Sequence, residues 1–406
     1  MAEKAVIIGA GISGMTIAHC LKDRYDVKVF EKYSRPGGLI KCIRENGYLY
    51  HPVGGHVFNS KRQDVLDWFW KFFDKGKEFL HATRNATISI NDSFVGYPIE
   101  NNIYMMNDPI VKSIIDDLLK LSDKHEPQNF EEFLINRFGQ TLYNIYFRPY
   151  NKKIWRKDLK DIPLSWLEGK LPMPSVTEII HHNFKHTGET NMVHSSFYYP
   201  RENGSQFLAD RLAEDLDISY NSEITEIKKI DNEWIVNGIH CSKIVFCGNI
   251  KDLPKLLPQL ISPYQKSIEE LKYHGTTTVL CEIDKNPYSW VYMPSEKHEA
   301  HRIICTGNFA ESNNANGKLT GTIEFTDYID ENEIRENLKR IPFSPNPVAS
   351  RFTPYTYPIQ HPDTGKMVSS LKAELKKHNF YMTGRFADWE YYNMDAAVGA
   401  AIDLKL

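Results

Sequence analysis

The sequence predicts a mixed α/β protein in which a Rossmann-like dinucleotide-binding domain is combined with an inserted helical domain and an antiparallel sheet domain. Residues 5–31 run in the order strand, glycine turn, helix, strand and acid, which is typical of a dinucleotide fold. Residues 105–170 have helical patterning, whereas residues 86–104, 276–284 and 289–294 have strand character. Because helical and strand-rich pieces alternate along the chain, we expect the domains to be interleaved.

The first strand and its turn form a glycine cradle. The run AVIIG, residues 5–9, has the β-branched composition of a buried parallel strand. Gly9, Gly11 and Gly14 follow in GxGxxG spacing, and MTIAHCL then has apolar residues at helical spacing. In such a turn the first glycine allows a tight bend, the second lets the backbone approach a pyrophosphate, and the third packs the helix on the strand. The helix N-terminus favours the phosphate charge, so the segment predicts a dinucleotide site.

The second strand supplies the acid that such a site needs. DVKVFE ends in Glu31, 20 residues beyond Gly11, where a carboxylate accepts hydrogen bonds from a ribose. The adjacent Gly37 and Gly38 in SRPGGLIKC indicate a second close approach of backbone to an extended cofactor, which favours FAD over NAD. The alternative is an ordinary Pro-Gly surface turn.

The uncharged stretch at residues 5–21 could also be a signal peptide or a membrane anchor. A membrane span needs about 20 apolar residues, whereas these 17 contain three glycines, two hydroxyl residues and His19. The continuation KDRYDVKVFEKY lacks a small-residue cleavage site. We therefore expect a soluble, cytoplasmic protein without a membrane span.

Composition excludes several classes of partner. The net charge is −3, so no basic field is expected to hold nucleic acid or an anionic membrane, and an anionic ligand requires a few placed arginines. The six cysteines form no CxxC pair, which favours free thiols in a reducing compartment. His181 and His182 have no third ligand at helical spacing, so no metal site is expected.

The later segments indicate where the domains meet. Residues 222–249 have the pattern of successive strands that return the chain to the nucleotide domain, and residues 379–404 run strand, loop and small-residue helix. We expect an FAD-binding domain, a helical domain and an antiparallel sheet domain for the substrate. Their expected ranges are 1–85 with 190–262 and 376–406 for the first, 105–189 for the second, and 86–104 with 263–375 for the third.

Further motifs are spread over nearly the whole chain: VGGHVFNS at 53–60, RPYNKKIW at 148–155, WVYMPSEKHEAHRII at 290–304, YTYPI at 355–359 and GRFADWEYYNMD at 384–395. Together with the cradle and its GGL element, they make the chain resemble the UDP-galactopyranose mutase family. The tail motif and the histidine loop are the most specific of them.

The resemblance implies a set of site residues. Catalytic roles are implied for His56, Arg302 and Tyr391. Substrate contacts are implied for Tyr150, Trp155, Arg302, Tyr357 and Tyr391, because guanidinium and phenol groups can hold a diphosphate while Trp155 walls the sugar. Asp395 would lie near the isoalloxazine end. FAD contacts are implied for Gly9, Gly11, Ile12, Ser13, Gly14, Glu31, Lys32, Gly38, Leu39, His56, Ile224, Arg385, Asn393 and Met394.

The same resemblance implies an activity. It is the interconversion of the pyranose and furanose forms of a nucleotide-diphosphate sugar, such as UDP-galactose, through a covalent adduct of the sugar with flavin N5. The reaction is redox-neutral, yet the FAD must be reduced, so NAD(P)H or another external reductant is implied. A role in cell-surface polysaccharide biosynthesis follows by the same resemblance, and a homo-oligomer is left open.

Two departures from the family pattern leave the sugar and the base open. Asn59 stands where the bacterial histidine loop has a second histidine, and Pro174 is nearest to the position of a second diphosphate-binding arginine, for which Lys170 or Arg201 could substitute. Two other functions also stay open. One is an FAD oxidase or desaturase of the amine-oxidase class, which shares the cradle and GGL but does not need Arg302 and Tyr391. The other is a non-catalytic flavin-fold scaffold.

Overall fold

The computed structural model of the protein describes residues 3–91, 93–121, 126–162, 164, 174–186, 195–231 and 233–406. The strands are β1 (Lys4–Ile8), β2 (Asp26–Phe30), β3 (Ile43–Glu45), β4 (Tyr48–Tyr50), β5 (Phe79–Thr83), β6 (Ala86–Ile90), β7 (Ser93–Gly96), β8 (Ser196–Pro200), β9 (Ile218–Ser219), β10 (Ile227–Ile230), β11 (Glu233–Val236), β12 (Ile239–Cys241), β13 (Lys243–Phe246), β14 (Tyr273–Ile283), β15 (Trp290–Tyr292), β16 (Arg302–Ile304), β17 (Leu319–Thr326), β18 (Asn346–Pro358) and β19 (Phe380–Met382).

The α-helices are α1 (Ile12–Leu21), α2 (Gln63–Phe69), α3 (Lys75–Glu78), α4 (Asp108–Leu119), α5 (Phe130–Leu142), α6 (Arg148–Trp155), α7 (Val176–Lys185), α8 (Gly204–Ala213), α9 (Leu253–Leu256), α10 (Pro258–Ile261), α11 (Gln265–Glu269), α12 (Glu331–Leu338), α13 (Thr364–Lys376) and α14 (Met394–Asp403). Within the described ranges, no helix is both long enough and apolar enough to cross a membrane.

A parallel sheet of five strands, in the order β19-β13-β1-β2-β9, carries the nucleotide fold. The central strand β1 is buried on both faces, as its β-branched composition predicts. On one face, apolar residues of α1, α8 and α14 pack against Ile7 of β1, and on the other α13 and α9 pack near Val6. The predicted order of strand, glycine turn, helix, strand and acid is confirmed, and with it the α/β fold class.

A seven-stranded sheet, in the order β18-β14-β17-β16-β15-β6-β7, forms the second layer of the molecule. Its strands are antiparallel except for the parallel pair β15–β6. In β17, Ile323 and Phe325 point into an apolar core, so the alternation of side chains turns Glu324 to the other face. That face becomes part of the functional cavity described below.

Helices α4 to α7 form most of the inserted helical unit. Asn107 and Asn129 cap α4 and α5 by accepting hydrogen bonds from backbone N–H groups of the first turn. The apolar side of α5 packs into a large core, and a π-helical segment at Tyr143–Phe147 links it to α6. This link places the RPYNKKIW motif of α6 beside β15, where Tyr150 meets the ring of Tyr292 and Lys153 Nζ donates to the carbonyl of Met293 at 2.9 Å.

Residues 86–104 were expected to be strand throughout, and this is wrong beyond Gly96. The hairpin β6–β7 ends there, and two short 3₁₀ turns follow at Ile99–Asn101 and Ile103–Met105. Pro98 has no N–H group to continue a ladder, which accounts for the end of the pairing. The strands predicted in residues 222–249 are confirmed as β10 to β13.

Candidate functional site

One cavity of about 970 Å³ runs between the glycine turn of β1 and the seven-stranded sheet. Its lining has two parts, the cradle wall and the sheet wall. The cradle wall comprises the backbone-rich segment from Gly9 to Gly14 with Glu31, Gly38 and Leu39. The sheet wall comprises the following side chains: Arg84, Trp290, Tyr292, Arg302, Glu324, Tyr357 and Tyr391.

The glycines of the cradle wall are required by close backbone contacts. A Cβ atom at Gly14 would lie 1.9 Å from the carbonyl oxygen of Gly9, far inside contact distance. Gly38 has a φ of 56° and crosses Gly11, where a Cβ on Gly38 would lie 3.2 Å from the Gly11 Cα. The two glycine segments predicted to touch one cofactor therefore lie against each other.

The N-terminus of α1 is open to the cavity side of this turn. No side chain caps it, so the N–H groups of its first turn have no side-chain acceptor at Gly11. Ile12, Ser13 and Gly14 of this turn line the cavity. Such an uncapped N-terminus is a favourable place for a pyrophosphate.

Glu31 ties the second strand to the glycine turn. The residue is 5% exposed, and its carboxylate accepts from the N–H of Ala10 at 2.9 Å and of Tyr33 at 3.0 Å. Lys41 Nζ lies 3.9 Å from Oε1. An ionised carboxylate has about four acceptor positions, so the two backbone bonds leave room for ribose hydroxyls.

His56 lies on the loop that joins the two walls. Its Nε2 donates to the carbonyl of Leu39 at 3.1 Å, which fixes the ring beside the cradle. Burial, and then the positive charge of Arg385, lower the pKa of His56 to about 4, so the imidazole is neutral at pH 7. Gly54 of the same loop packs against Glu324, whose Oε1 would lie 2.9 Å from a Cβ on that glycine.

Arg302 and Glu324 form an ion pair on the sheet wall, in which the carboxylate is buried and the guanidinium is half-buried. The Arg302 Nε donates to Glu324 Oε2 at 2.5 Å, and the Nη2 atom contacts the same oxygen. Glu324 is only 2% exposed. Burial alone would raise the pKa of Glu324, but Arg302 and His301 outweigh it and lower the pKa to about 2. The positive charge predicted at Arg302 is present, yet a carboxylate already compensates it.

The tail motif and the YTYPI motif meet on this wall. The rings of Tyr357 and Tyr391 stack with centroids 5.4 Å apart, and the Arg385 guanidinium lies 4.4 Å above Tyr391. Burial raises the pKa of Tyr357, so its hydroxyl stays a donor at pH 7. The Arg385 Nε is buried without a hydrogen-bond partner in the described part of the chain.

The predicted FAD residues come together as a group. Every one of them lines the cavity: Gly9, Gly11, Ile12, Ser13, Gly14, Glu31, Lys32, Gly38, Leu39, His56, Ile224, Arg385, Asn393 and Met394. Of the predicted substrate residues, Arg302, Tyr357 and Tyr391 line it as well.

Tyr150 and Trp155 are not among the cavity-lining residues. The Tyr150 ring stacks on Tyr146 and meets the edge of Tyr292 at a centroid distance of 5.6 Å, so it lies behind the wall. Trp155 packs against the helical core, and its carbonyl accepts from His274 Nε2 at 3.0 Å. The structure thus brings Tyr150 next to the site and Trp155 to its periphery.

The position expected for a second arginine, Pro174, and one of its two possible substitutes, Arg201, lie away from the sheet wall. Pro174 offers only its carbonyl to Arg137, and Arg201 is exposed, with its carbonyl bonded to Ser312. Neither lines the cavity, and Lys170 lies outside the described residues. Asn59 donates to the carbonyl of Ser196 at 2.8 Å and holds the loop to β8.

Sequence reasoning missed Arg84 and Glu324. The Arg84 guanidinium donates to the hydroxyl of Tyr292 and lies 4.9 Å from the centroid of Trp290. Glu324 could have been found as a lone acid in the strand TGTIEFT, where a charged side chain among buried neighbours needs a partner. Arg84 has a weaker signal, a single basic residue at the start of a strand.

Among the residues that the structure describes, no group of three or more His, Cys, Asp or Glu side chains is placed to hold a metal ion. The donor set of the cavity is instead made of guanidinium, phenol and backbone N–H groups. Such donors suit anionic phosphate oxygens.

Residues 7–75 match the family model of an NAD(P)-binding Rossmann-like domain. The chain is 27% identical over 181 residues to a Klebsiella pneumoniae protein named "Probable UDP-galactopyranose mutase", covering 42% of this chain and 45% of that protein. It is 29% identical over 181 residues to dTDP-fucopyranose mutase of Escherichia coli, covering 42% and 46%. In both cases the alignment spans less than half of the relative's length. With UDP-galactopyranose mutase of Mycoplasma genitalium the identity is 21%, over 97% of this chain and 91% of that protein.

Solved structures show the same fold. A reduced UDP-galactopyranose mutase superposes with a TM-score of 0.86 at 21% identity, over 99% of this chain and 94% of that one. A putrescine oxidase superposes with a TM-score of 0.64 at 14% identity, over 99% and 97%. The resemblance predicted from the motifs is confirmed: this chain is a homologue of proteins named UDP-galactopyranose mutase and dTDP-fucopyranose mutase, and it has the fold of the former along its whole length.

Proposed function

We propose that this protein is a flavin-dependent isomerase that interconverts the pyranose and furanose forms of a nucleoside-diphosphate sugar. The observation that carries the proposal is the single cavity in which a dinucleotide cradle faces a wall of arginine and tyrosine side chains. The cradle suits an extended dinucleotide, and the wall suits a second, anionic ligand beside it.

FAD fits the cradle wall by several independent features. The uncapped N-terminus of α1 can take the pyrophosphate, and Glu31 keeps free acceptor positions for a ribose. Gly37 and Gly38 bring a second stretch of backbone to the same ligand, and the Gly37 N–H donates to Ala10 at 2.8 Å, which fixes that crossing. When bound and reduced, the flavin supplies a nucleophilic nitrogen for the anomeric carbon, and the reaction consumes no reducing equivalents overall.

The residues of the sheet wall would bind and orient the sugar nucleotide. Arg302, held rigid by Glu324, would present its remaining N–H groups to the diphosphate as the nucleotide leaves and returns. Tyr357 and Tyr391 would donate phenol hydrogens to the same oxygens. Tyr150 would support this wall by packing against Tyr292. Trp155 would wall the sugar from the periphery of the site.

His56 would adjoin the flavin as a neutral imidazole, because its pKa is lowered to about 4. A neutral ring at this place donates through Nε2 to Leu39 and adds no charge next to the cofactor. Arg385 would be the cation nearest to it, with a buried Nε available to a ligand. We infer that this pair favours the reduced state of the flavin, with NAD(P)H or another external reductant as electron source.

The test is a conversion assay with the flavin-loaded protein. The protein is reduced with dithionite and incubated with UDP-galactose, dTDP-fucose or UDP-N-acetylgalactosamine, and the products are separated by chromatography. We expect a furanose isomer from at least one substrate, and none from the same protein kept oxidised. Absence of conversion with all of them would contradict the proposal.

One observation favours a second candidate, an oxidase of the amine-oxidase class: the fold is shared with putrescine oxidase. The charges of the cavity lining argue against it, because Arg84 and Arg385 would repel a protonated amine. Hydrogen peroxide released from an amine by the oxidised protein, without any sugar conversion, would favour the oxidase.

A further inference from the structure

Arg84 is a cation of the sheet wall that no carboxylate compensates. Its guanidinium lines the cavity, and within the described ranges it forms no ion pair with an Asp or Glu. Its Nε is buried and lacks a hydrogen-bond partner in the described residues. A buried donor that remains unpaired is costly, so such a group is expected to meet an acceptor when a ligand enters.

The charge balance of the sheet wall favours a cation besides Arg302, since Arg385, which also lines the cavity, is assigned to the flavin. Arg302 is bonded through two nitrogens to Glu324, whose pKa is lowered to about 2, so the two side chains together carry no net charge at pH 7. A nucleoside diphosphate has at least one negative charge on each phosphate group at that pH. Hydrogen bonds from Arg302 alone would leave this charge uncompensated in a partly desolvated cavity, which is unfavourable.

The guanidinium of Arg84 is held in place by aromatic rings. It lies 4.9 Å from the ring centroid of Trp290 and 5.2 Å from that of Tyr97, and it donates to the hydroxyl of Tyr292. Planar guanidinium groups stack well on aromatic faces, and stacking leaves the in-plane N–H groups available for phosphate oxygens. The side chain is therefore already ordered in the free protein, so ligand binding loses little of its conformational entropy.

Tyr292 connects Arg84 to Arg302. Tyr292 lies opposite Arg302 in the antiparallel register of β15 and β16, and its hydroxyl accepts from Arg84. Both arginines are therefore neighbours of one tyrosine, and both line the cavity that a diphosphate would enter.

We propose, on the basis of the function proposed above, that Arg84 binds the diphosphate of the substrate and supplies the charge that Arg302 lacks. This gives the site a second arginine from the strand β6 side of the cavity. Of the positions that the sequence offers for that role, Pro174 and Arg201 do not line the cavity, and Lys170 lies outside the described residues.

The experiment compares the affinity of UDP and dTDP for the flavin-loaded wild type and for Arg84→Gln by calorimetry. We expect Arg84→Gln to weaken both by about tenfold to a hundredfold, as for the loss of a charged hydrogen bond. Arg84→Lys keeps the charge but not the planar fork, so it should lose only part of this affinity. Arg335→Gln, a surface change of the same net charge on α12, should bind both nucleotides like the wild type.

Tyr292→Phe gives a second readout that does not depend on removing Arg84. It keeps the ring but deletes the hydroxyl that orients the guanidinium, so it should weaken UDP binding in the wild-type background. In an Arg84→Gln background the same change should have almost no effect, because nothing remains to be oriented. Equal effects in both backgrounds would overturn the assignment of Arg84.

The outcomes separate the two proposals. If the wild type binds UDP or dTDP and Arg84→Gln binds it equally well with full flavin content, the assignment of Arg84 is wrong while the proposed function stands. If the wild type binds no nucleoside diphosphate and converts no sugar nucleotide, the proposed function itself fails.

Discussion

The cradle wall and the sheet wall enclose the same cavity but are built by different means. The cradle wall comes from residues 9–39 and consists largely of backbone groups held by glycine contacts. The sheet wall comes from side chains between Arg84 and Tyr391, which six separate segments of the chain deliver. Its central groups are the half-buried Arg302 and the buried Glu324, which form an ion pair.

This difference predicts different responses to change. A backbone cradle depends on steric fit, so it should fail when a single Cβ is added and should be indifferent to pH. A wall of coupled ionic and aromatic side chains should fail when one member is removed, because its partner then stays buried without compensation. Four predictions test this contrast, in addition to the experiment on Arg84.

The largest effect is expected from Arg302→Ala. This change leaves Glu324 buried and unpaired, and we expect a loss of roughly 3–5 kcal/mol in the free energy of unfolding, measured with urea. Binding of UDP should also weaken, whereas the flavin content of protein that folds should stay intact.

The matched variant is the double change Arg302→Met with Glu324→Gln. It removes both charges at similar volume, so most of the stability should return while UDP binding stays weak. If Arg302→Ala is as stable as the wild type, Glu324 is not buried as an ion, and the contrast between the walls fails.

Gly14→Ala should break the cradle wall. Its Cβ would lie 1.9 Å from the Gly9 carbonyl, so the turn must shift. Overpacking of this kind costs about 1–3 kcal/mol, and we expect flavin to bind about tenfold to a hundredfold more weakly, measured by flavin absorbance after dialysis. Gly365→Ala is the control, because a Cβ there meets no atom within 4 Å. Normal flavin retention in Gly14→Ala would show that the turn tolerates a shift.

Tyr391→Phe should affect the sheet wall only. The ring stack on Tyr357 remains, but the hydroxyl donor is lost, and we expect about tenfold weaker binding of the sugar nucleotide with unchanged flavin content. Tyr104→Phe removes a hydroxyl from an exposed tyrosine of the helical unit and should leave the affinity unchanged. A loss of flavin in Tyr391→Phe would place this residue on the cofactor.

The smallest effect is a pH dependence that arises at His51, a buried residue within electrostatic reach of His56. Burial, and then His56, lower the pKa of His51 to about 3, and its Nε2 is bonded to the Tyr199 hydroxyl at 2.8 Å. The unfolded chain takes up the proton near pH 6.5, so the stability from this group is complete above that pH and falls as the pH drops toward the folded pKa. Between about pH 7 and 5.5 the loss should be about 1 kcal/mol.

The measurement is the free energy of unfolding as a function of pH for the wild type and His51→Gln. The variant should show a shallower slope below pH 6.5, and the exposed His240→Gln should show the wild-type slope. Identical slopes for all three proteins would mean that His51 is not held neutral. Flavin retention by the cradle wall should not change over this range.

The motifs explain which residues could be predicted. Gly9, Gly14 and Glu31 are close in sequence and each has a geometric role, so their meeting in one site follows from the order of strand, turn and helix. His56, Arg302 and Tyr391 were reached only through motif resemblance, because nothing local indicates that they face one cavity. Arg84 and Glu324 carry no motif at all, and their importance follows from burial and pairing across strands.

The sequence by itself determined the cradle, since backbone conformation there depends on glycines and on the order of strand, turn and helix within a short segment. It also determined the α/β fold class, through the separation of strand-rich and helical pieces. Only the tertiary structure decided which charges are compensated. Glu324 compensates the charge of Arg302, whereas Arg84 is held by aromatic rings and has no carboxylate partner among the described residues. The physical reason is that the electrostatic state of a buried group depends on neighbours brought from distant positions, and a linear sequence does not fix those distances.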